Sequence, residues 1–297
     1  MDWQLQLISV YDFVCNEYNK GMSNKMNRFS NYVNLSFSDE EVMTIYMFGI
    51  MNNHDTIKSM YNYTNNHLIQ WFPSLPSYTA FVQRLNKLSC LFSDLIASLH
   101  QYFPKEDKAK DPFVIDSMPI ILAQRGRRFK AKVALEIATN NGYCATKKLH
   151  YHGVKLHMMG TYQKGSMPVP QYFGITNAGI ADIKVYEEIK EHLPKNSKAF
   201  ADKAYQTNNE PVANQGNVTL FTPVKKAKGQ ETLDAADKLL SKAISSVRQP
   251  IESLFNWIEV KTKIQMASKV RSYEGLMTHL FGKIAVAFFL LKTKFCS

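Results

Sequence analysis

Several common chemistries have no foothold in this 297-residue chain. Its four cysteines, Cys15, Cys90, Cys144 and Cys296, are scattered with no CxxC pair, and they read as reduced thiols of a cytosolic protein. The eight histidines show no H-x-x-x-H spacing, which leaves a zinc centre without support. Neither G-x-G-x-x-G nor G-x-x-x-x-G-K-[ST] occurs, so nucleotide hydrolysis is not indicated, and there is no G-x-S-x-G elbow. The longest apolar run, "IAVAFFLL" at 284–291, is too short to cross a bilayer and reads as part of a buried terminal helix. The first twenty residues carry Asp2 and polar interruptions, so no signal peptide is expected there. Negative charge is also scarce: 25 Asp plus Glu face 36 Lys plus Arg, for a net charge of +11 and a pI near 9.3. That balance favours a polyanionic partner, nucleic acid ahead of a membrane surface. What is abundant is core material. Apolar residues make up 45% and aromatics 12%, which suits a folded chain with a large interior.

The texture changes once along the chain. Residues 1–108 read as an all-helical domain: "SDEEVMTIYMFGIM" opens with Ser38 and Glu41 in capping-box spacing, and Ser77 is placed to cap a second helix after Pro76. Such a domain suits DNA binding or bracing of its neighbour. The polar stretch "PKEDKAKDP" at 104–112 reads as a linker. From 109 to 297 strands alternate with helices. "FVIDSMPIIL", "LHYHGVKLHMMGTYQ", "VPQYFGITNAG", "KAFADKAY" and "VTLFTPV" read as strands, "ADIKVYEEIKEHL" as a helix, and a long helical tail runs from about 231. The expectation is an α/β fold, a mixed sheet covered by helices.

One residue in the first strand is out of place. In "FVIDSMPI", residues 113–120, Asp116 interrupts an apolar, β-branched run, and a buried carboxylate needs a partner or a cation. A second aspartate, Asp202, ends the apolar segment of "KAFADKAY". A third acid, Glu252, lies in "VRQPIESLFNWIEVKTK". At 100° per residue Arg248, Glu252, Asn256, Glu259 and Lys263 form one polar stripe, beside a packing face of Ile251, Leu254, Phe255 and Ile258. Two strand-borne aspartates and a helix-borne glutamate are the oxygen ligands that hard divalent cations prefer. Taken singly, each acid also fits a bland role: a turn or cap for the aspartates, a solvated surface charge for the glutamate.

Five blocks carry a resemblance: "FVIDSMPI", "HYHGVKLH", "FGITNAGIADIKVYEEI", "FADKAY" and "RQPIESLFNWIEVKTKIQMASKVRS". In this order they resemble the DDE-type transposases of bacterial insertion sequences, nearest to insertion-sequence family 982, a relative of family 4. "LSFSDEEVMTIYMFGIMNNHDTIKSMYNY" and "WFPSLPSYTAFVQRLNKL" resemble the helical front end of that group. The resemblance implies a ribonuclease-H-like sheet. Asp116, Asp202 and Glu252 would be its catalytic acids, holding two Mg²⁺ ions, or Mn²⁺ in their place. Arg248, one turn before the glutamate, would contact a phosphate. It implies an endonuclease that cuts double-stranded DNA at the terminal inverted repeats of its element and joins the ends to target DNA. A homodimer or larger assembly in the bacterial cytoplasm, at the nucleoid and away from membranes, is expected with it. The alternatives are an inactive DNA-binding relative and a ribonuclease-H-like nuclease with other substrates.

The chain departs from the family-4 pattern at four positions. Ser245 stands where a Tyr is usual, Glu259 where a Lys is usual, Ala204 where a Gly follows the Asp–Lys pair, and Ala181 where a His precedes Asp182. Lys263 lies one turn beyond Glu259 on the same predicted face and is the candidate substitute for the lysine. Basic residues suited to phosphate contacts are Arg125, Arg127, Arg128, Lys130 and Lys132 in "QRGRRFKAK", together with Lys203 beside Asp202. Tyr143, Tyr151, His152 and His157 fit ring packing better than a place in the site, and core packing is the expectation for Trp257.

Overall fold

A computed structural model of the chain describes residues 2–26, 35–104, 112–206, 210–216 and 218–295. The predicted linker falls mostly at 105–111, outside the described residues, as does Cys296. The chain divides into two units, Met1–Phe103 with Ile258–Ser297, and Pro104–Trp257.

The regular elements described before residue 104 are helical: α1 (Trp3–Asn19), α2 (Asp39–Met51), α3 (Ile57–His67), α4 (Tyr78–Lys87) and α5 (Ser89–His100). The starts follow from caps. Ser38 accepts the Glu41 N–H while Glu41 reaches back to the Ser38 N–H, and Ser77 accepts from Ala80. Asp39, in the first turn of α2, is buried but receives Arg84 Nε at 2.7 Å and the Tyr18 hydroxyl at 2.9 Å, which offsets its loss of water. The predicted helical tail is two helices, α7 (Ala235–Thr262) and α8 (Tyr273–Phe295). Lys263 ends α7 in the left-handed region at φ 52°, so the helical stripe drawn through it stops one residue short.

Within the first unit α8 packs against α5, α2 and α4 because it is apolar on nearly every side. It is long and apolar enough to cross a membrane by composition, and most of it is buried inside its unit. Gly282 lets α8 lie against Tyr46, whose ring a Cβ would strike at 2.4 Å. Half-buried in the same unit, His279 donates Nε2–H to the Ile264 carbonyl at 2.8 Å.

The second unit is built on a seven-stranded mixed sheet of β1 (Phe113–Gln124), β2 (Asn141–Cys144), β3 (Leu149–Thr161), β4 (Val169–Asn177), β5 (Ser197–Phe200), β6 (Val212–Gln215) and β7 (Val218–Phe221). The order is β2-β3-β1-β5-β7-β6, with β4 also paired to β3. β1 runs antiparallel to β3, while β1, β5 and β7 are mutually parallel neighbours. One face, carrying Phe113, Ile115 and Met159, packs against Val185, Tyr186 and Ile189 of α6 (Asp182–Ile189). The four-residue strands β2 and β6 were not expected: "NGYC" and "VANQ" are too short and too polar to show a period.

Gly153 is required where β3 meets β1, because a Cβ there would stand 2.0 Å from the Ile120 carbonyl oxygen. Gly153→Ala is expected to cost roughly 2–4 kcal/mol, read as a lower midpoint in urea unfolding.

Burial, with the Lys283 charge nearby, pushes the His279 imidazole down to about 3. A folded-state value below the unfolded one means that the unfolded chain takes up a proton the folded chain refuses. The stability this gives is complete above about pH 6.5 and is lost as pH falls toward 3. Melting curves at pH 7 and pH 5 should show wild type losing more than His279→Gln.

Candidate active site

The two aspartates are brought together by parallel pairing. Val114 of β1 pairs with Phe200 of β5, and the ladder between them ends there. Continuing that register by two residues on each strand sets Asp116 level with Asp202. Because side chains alternate along a strand, Asp116 projects opposite to Phe113 and Ile115, away from the face that α6 covers. Asp202 follows the end of β5 and opens a short 3₁₀ turn, Lys203–Tyr205. The carboxyl ends of adjacent parallel strands, where the chain leaves the sheet, are where open α/β sheets place ligands.

The third acid arrives on α7. Arg248 donates Nη1 to Asp116 Oδ2 at 3.0 Å and Nη2 to Glu252, one helical turn along. The guanidinium thus bridges a strand acid and a helix acid. Pro250 lies between Arg248 and Glu252 and offers no N–H to the helix. Asp116 also accepts its neighbour's N–H, from Ser117, at 2.8 Å.

The electrostatics follow from this crowding. Burial is the main cause that pushes the Asp116 carboxyl up to about 7, and repulsion from Asp202 and Glu252 adds to it. Arg248 and the Ser117 N–H pull the other way. Asp116, Glu252 and Asp202 in turn raise the Arg248 pKa. The three acids therefore share one electrostatic neighbourhood, and a cation stands in it.

The donor set, two aspartates and a glutamate, is all oxygen and fits a hard divalent ion. Among the described residues, however, no three His, Cys, Asp or Glu side chains are grouped so as to hold a metal as they stand. The guanidinium takes an oxygen of Asp116 and one of Glu252.

The other candidate residues are spread out. Lys203 is exposed beside Asp202. Arg125, Arg127 and Arg128 form a short 3₁₀ helix, Arg125–Phe129, rather than a loop, and Lys130 follows it. Arg128 lies 4.2 Å from the Phe129 ring centroid. This cluster begins nine residues past Asp116, about 30 Å along an extended strand, so it does not share the acids' neighbourhood. Lys263 belongs to the other unit, and its carbonyl accepts the Lys283 amine at 3.0 Å. Tyr151, His152 and His157 are buried, while Tyr143 is exposed and packs on His150.

Behind the acids lies a polar group of which sequence reading singled out only His157, as a packed ring. Lys155 of β3 donates to Asp182 at 2.9 Å and to the Ile180 carbonyl at 2.8 Å. His157, fully buried, bonds Thr176 through Nε2 at 2.7 Å, and its imidazole is pushed down to about 4 by burial. The Tyr205 hydroxyl, three residues after Asp202, is buried near Ser117, and its pKa is raised mainly by burial, then by Asp182 and Asp116. The available signal was a lysine in the apolar run "GVKLHMM", the same kind of interruption that singled out Asp116.

Residues 107–272 match the family model described as the transposase DDE domain. That match covers more than half of the chain, and the chain belongs to this family: it is a DDE transposase. No curated protein and no solved structure matches it. DNA is the partner of such proteins, and divalent metals are their usual cofactors.

The Lys155–Asp182 pair supports the sheet beneath the acids. Lys155→Met is expected to destabilise the protein by roughly 2–3 kcal/mol, because it leaves a poorly solvated carboxylate alone. Adding Asp182→Asn should recover part of the loss in a double-mutant cycle of urea midpoints.

Proposed function

We propose that this protein is an insertion-sequence transposase, of family 982 or a near relative of family 4, working on a ribonuclease-H-like sheet. The observation that carries this reading is the placing of Asp116 and Asp202 at the ends of adjacent parallel strands, with Glu252 linked to Asp116 through Arg248.

In this reading Asp116, Asp202 and Glu252 hold two Mg²⁺ ions, or Mn²⁺. When bound, these ions supply activation of the attacking oxygen and charge neutralisation on the scissile phosphate. The chain's own contribution is position. The parallel β1–β5 register fixes the spacing of the aspartates, and α7 aims the glutamate at the same point. Asp116 is half-buried while Glu252 is exposed, so the acids would meet the phosphate at the surface of the sheet. The same site would first free a 3′-hydroxyl at the element end by hydrolysis. It would then direct that hydroxyl at a target phosphate, with no covalent protein intermediate.

Arg248 and Lys203 would meet phosphates near the cleavage point. Arg125, Arg127, Arg128 and Lys130, about 30 Å along the strand, would meet the duplex some nine base pairs away. Lys263, beyond the end of α7, would make a further DNA contact. Residues 1–108 would form an accessory DNA-binding domain and 109–297 the catalytic domain. The protein would act as a dimer or larger assembly on paired ends in the bacterial cytoplasm.

The test is cleavage of linear DNA carrying the sequences that flank the reading frame, with Mg²⁺ or Mn²⁺ and with EDTA. Wild type should nick at the element ends only with metal. Asp116→Asn, Asp202→Asn and Glu252→Gln should each lose at least about a hundredfold in rate, while a gel-shift with the same DNA shows binding retained. Wild-type binding without metal-dependent cutting would reduce the reading to a DNA-binding relative.

A further inference from the structure

We infer that Arg248 is a resident counter-ion that competes with a divalent ion for the carboxylate oxygens of Asp116 and Glu252 and must let go of them for the ion to bind. The inference rests on the metal-dependent reading above and adds a competing cation to it.

The argument begins with the oxygens. A divalent ion bound by these acids needs carboxylate oxygens at close range; Mg²⁺ takes them at about 2.0–2.1 Å. Arg248 already holds Oδ2 of Asp116 at 3.0 Å and Oε1 of Glu252, and both contacts use its planar fork. Its side chain is only 14% exposed, so the charge is not screened by bulk water as a surface arginine's would be. A guanidinium and a divalent cation cannot sit within a few ångströms of each other on the same oxygens without strong repulsion.

The fork is also incompletely used. Arg248 Nε is buried with no hydrogen-bond partner, although a guanidinium at a dedicated structural site normally has its donors paired. The arginine therefore holds the acids but is not locked among them. Pro250 leaves the Ser246 carbonyl without its usual helical N–H, one residue pair before Arg248 in the same helix. The contest is over the carboxylate oxygens, since the guanidinium and a divalent ion both need Oδ2 of Asp116 and Oε1 of Glu252.

The test measures metal binding without DNA and needs no cleavage. Wild type, Arg248→Gln and Arg248→Lys are titrated with MnCl₂ by calorimetry at fixed ionic strength, after circular dichroism confirms that each is folded. Melting temperatures are taken in EDTA and in Mn²⁺. Arg248→Gln should bind Mn²⁺ about tenfold more tightly or better, because a neighbouring like charge is removed. Arg248→Lys, whose single ammonium cannot fork between two acids, should fall between the two. In EDTA the glutamine variant should melt below wild type, and Mn²⁺ should close that gap.

Glu252→Gln in the Arg248→Gln background should abolish the added affinity. Mn²⁺ binding by the variant but not by wild type would support the inference in its strongest form. Wild-type affinity equal to or higher than that of Arg248→Gln would overturn it and leave the metal reading standing. Gain of affinity that survives Glu252→Gln would place the ion elsewhere and also overturn it. No binding by any variant would bring down both the inference and the metal reading.

Discussion

The second unit is organised around the cost of holding the Asp116 carboxylate largely, though not wholly, out of water. A charge so placed must be matched, and one guanidinium does this while tying α7 to the strand. The contact joins residues 132 positions apart in sequence. It depends on the β1–β3 pairing, which holds Asp116 opposite Met158, for one partner and on α7 for the other. Remove the arginine and three acids repel one another; remove Asp116 and a poorly solvated arginine loses its strand partner. The site's stability and its capacity to take a metal thus act on the same few oxygens.

The opposite face of β1 is arranged differently. There Ser117, His157, Lys155 and Tyr205 are enclosed beside α6, with the lysine satisfied by Asp182 and a carbonyl. Alternation along the strand separates the two groups completely: even-numbered Asp116 meets α7, and odd-numbered Ser117 meets the α6 side. A one-residue slip of β1 would exchange them, so the register against β3 matters to the site as much as any ligand does. The eleven paired positions along β1 and β3 make that slip costly.

Much of this was readable before any coordinates. Asp116 stood out because a carboxylate interrupts an apolar strand, and Asp202 because it ends one. Glu252 stood out through the helical period that placed it with Arg248. The capping box at Ser38, the cap at Ser77 and the main strands were legible for the same reason, since their physics is local. What could not be read was set by distant contacts. The break of the tail at Lys263 depends on a left-handed residue whose carbonyl is taken by Lys283, twenty positions on. The distance of the Arg125 cluster from the acids is a matter of strand length, invisible to a count of charges. The arginine's double grip on Asp116 and Glu252 was also hidden: spacing shows the helical partner and not the strand partner.

The sheet's borders carry a further consequence. β3 is met along one side by two strands in tandem, β2 over residues 149–152 and β4 over 154–161, and the far border is the four-residue β6. β2 and β6 are too short to template a long added strand, and Pro170 near the start of β4 lacks the N–H that a continuous ladder would need. Along β2 and β6 the sheet therefore offers a second copy of this highly basic chain little backbone to extend, and the longer β4 is interrupted near its start by the proline.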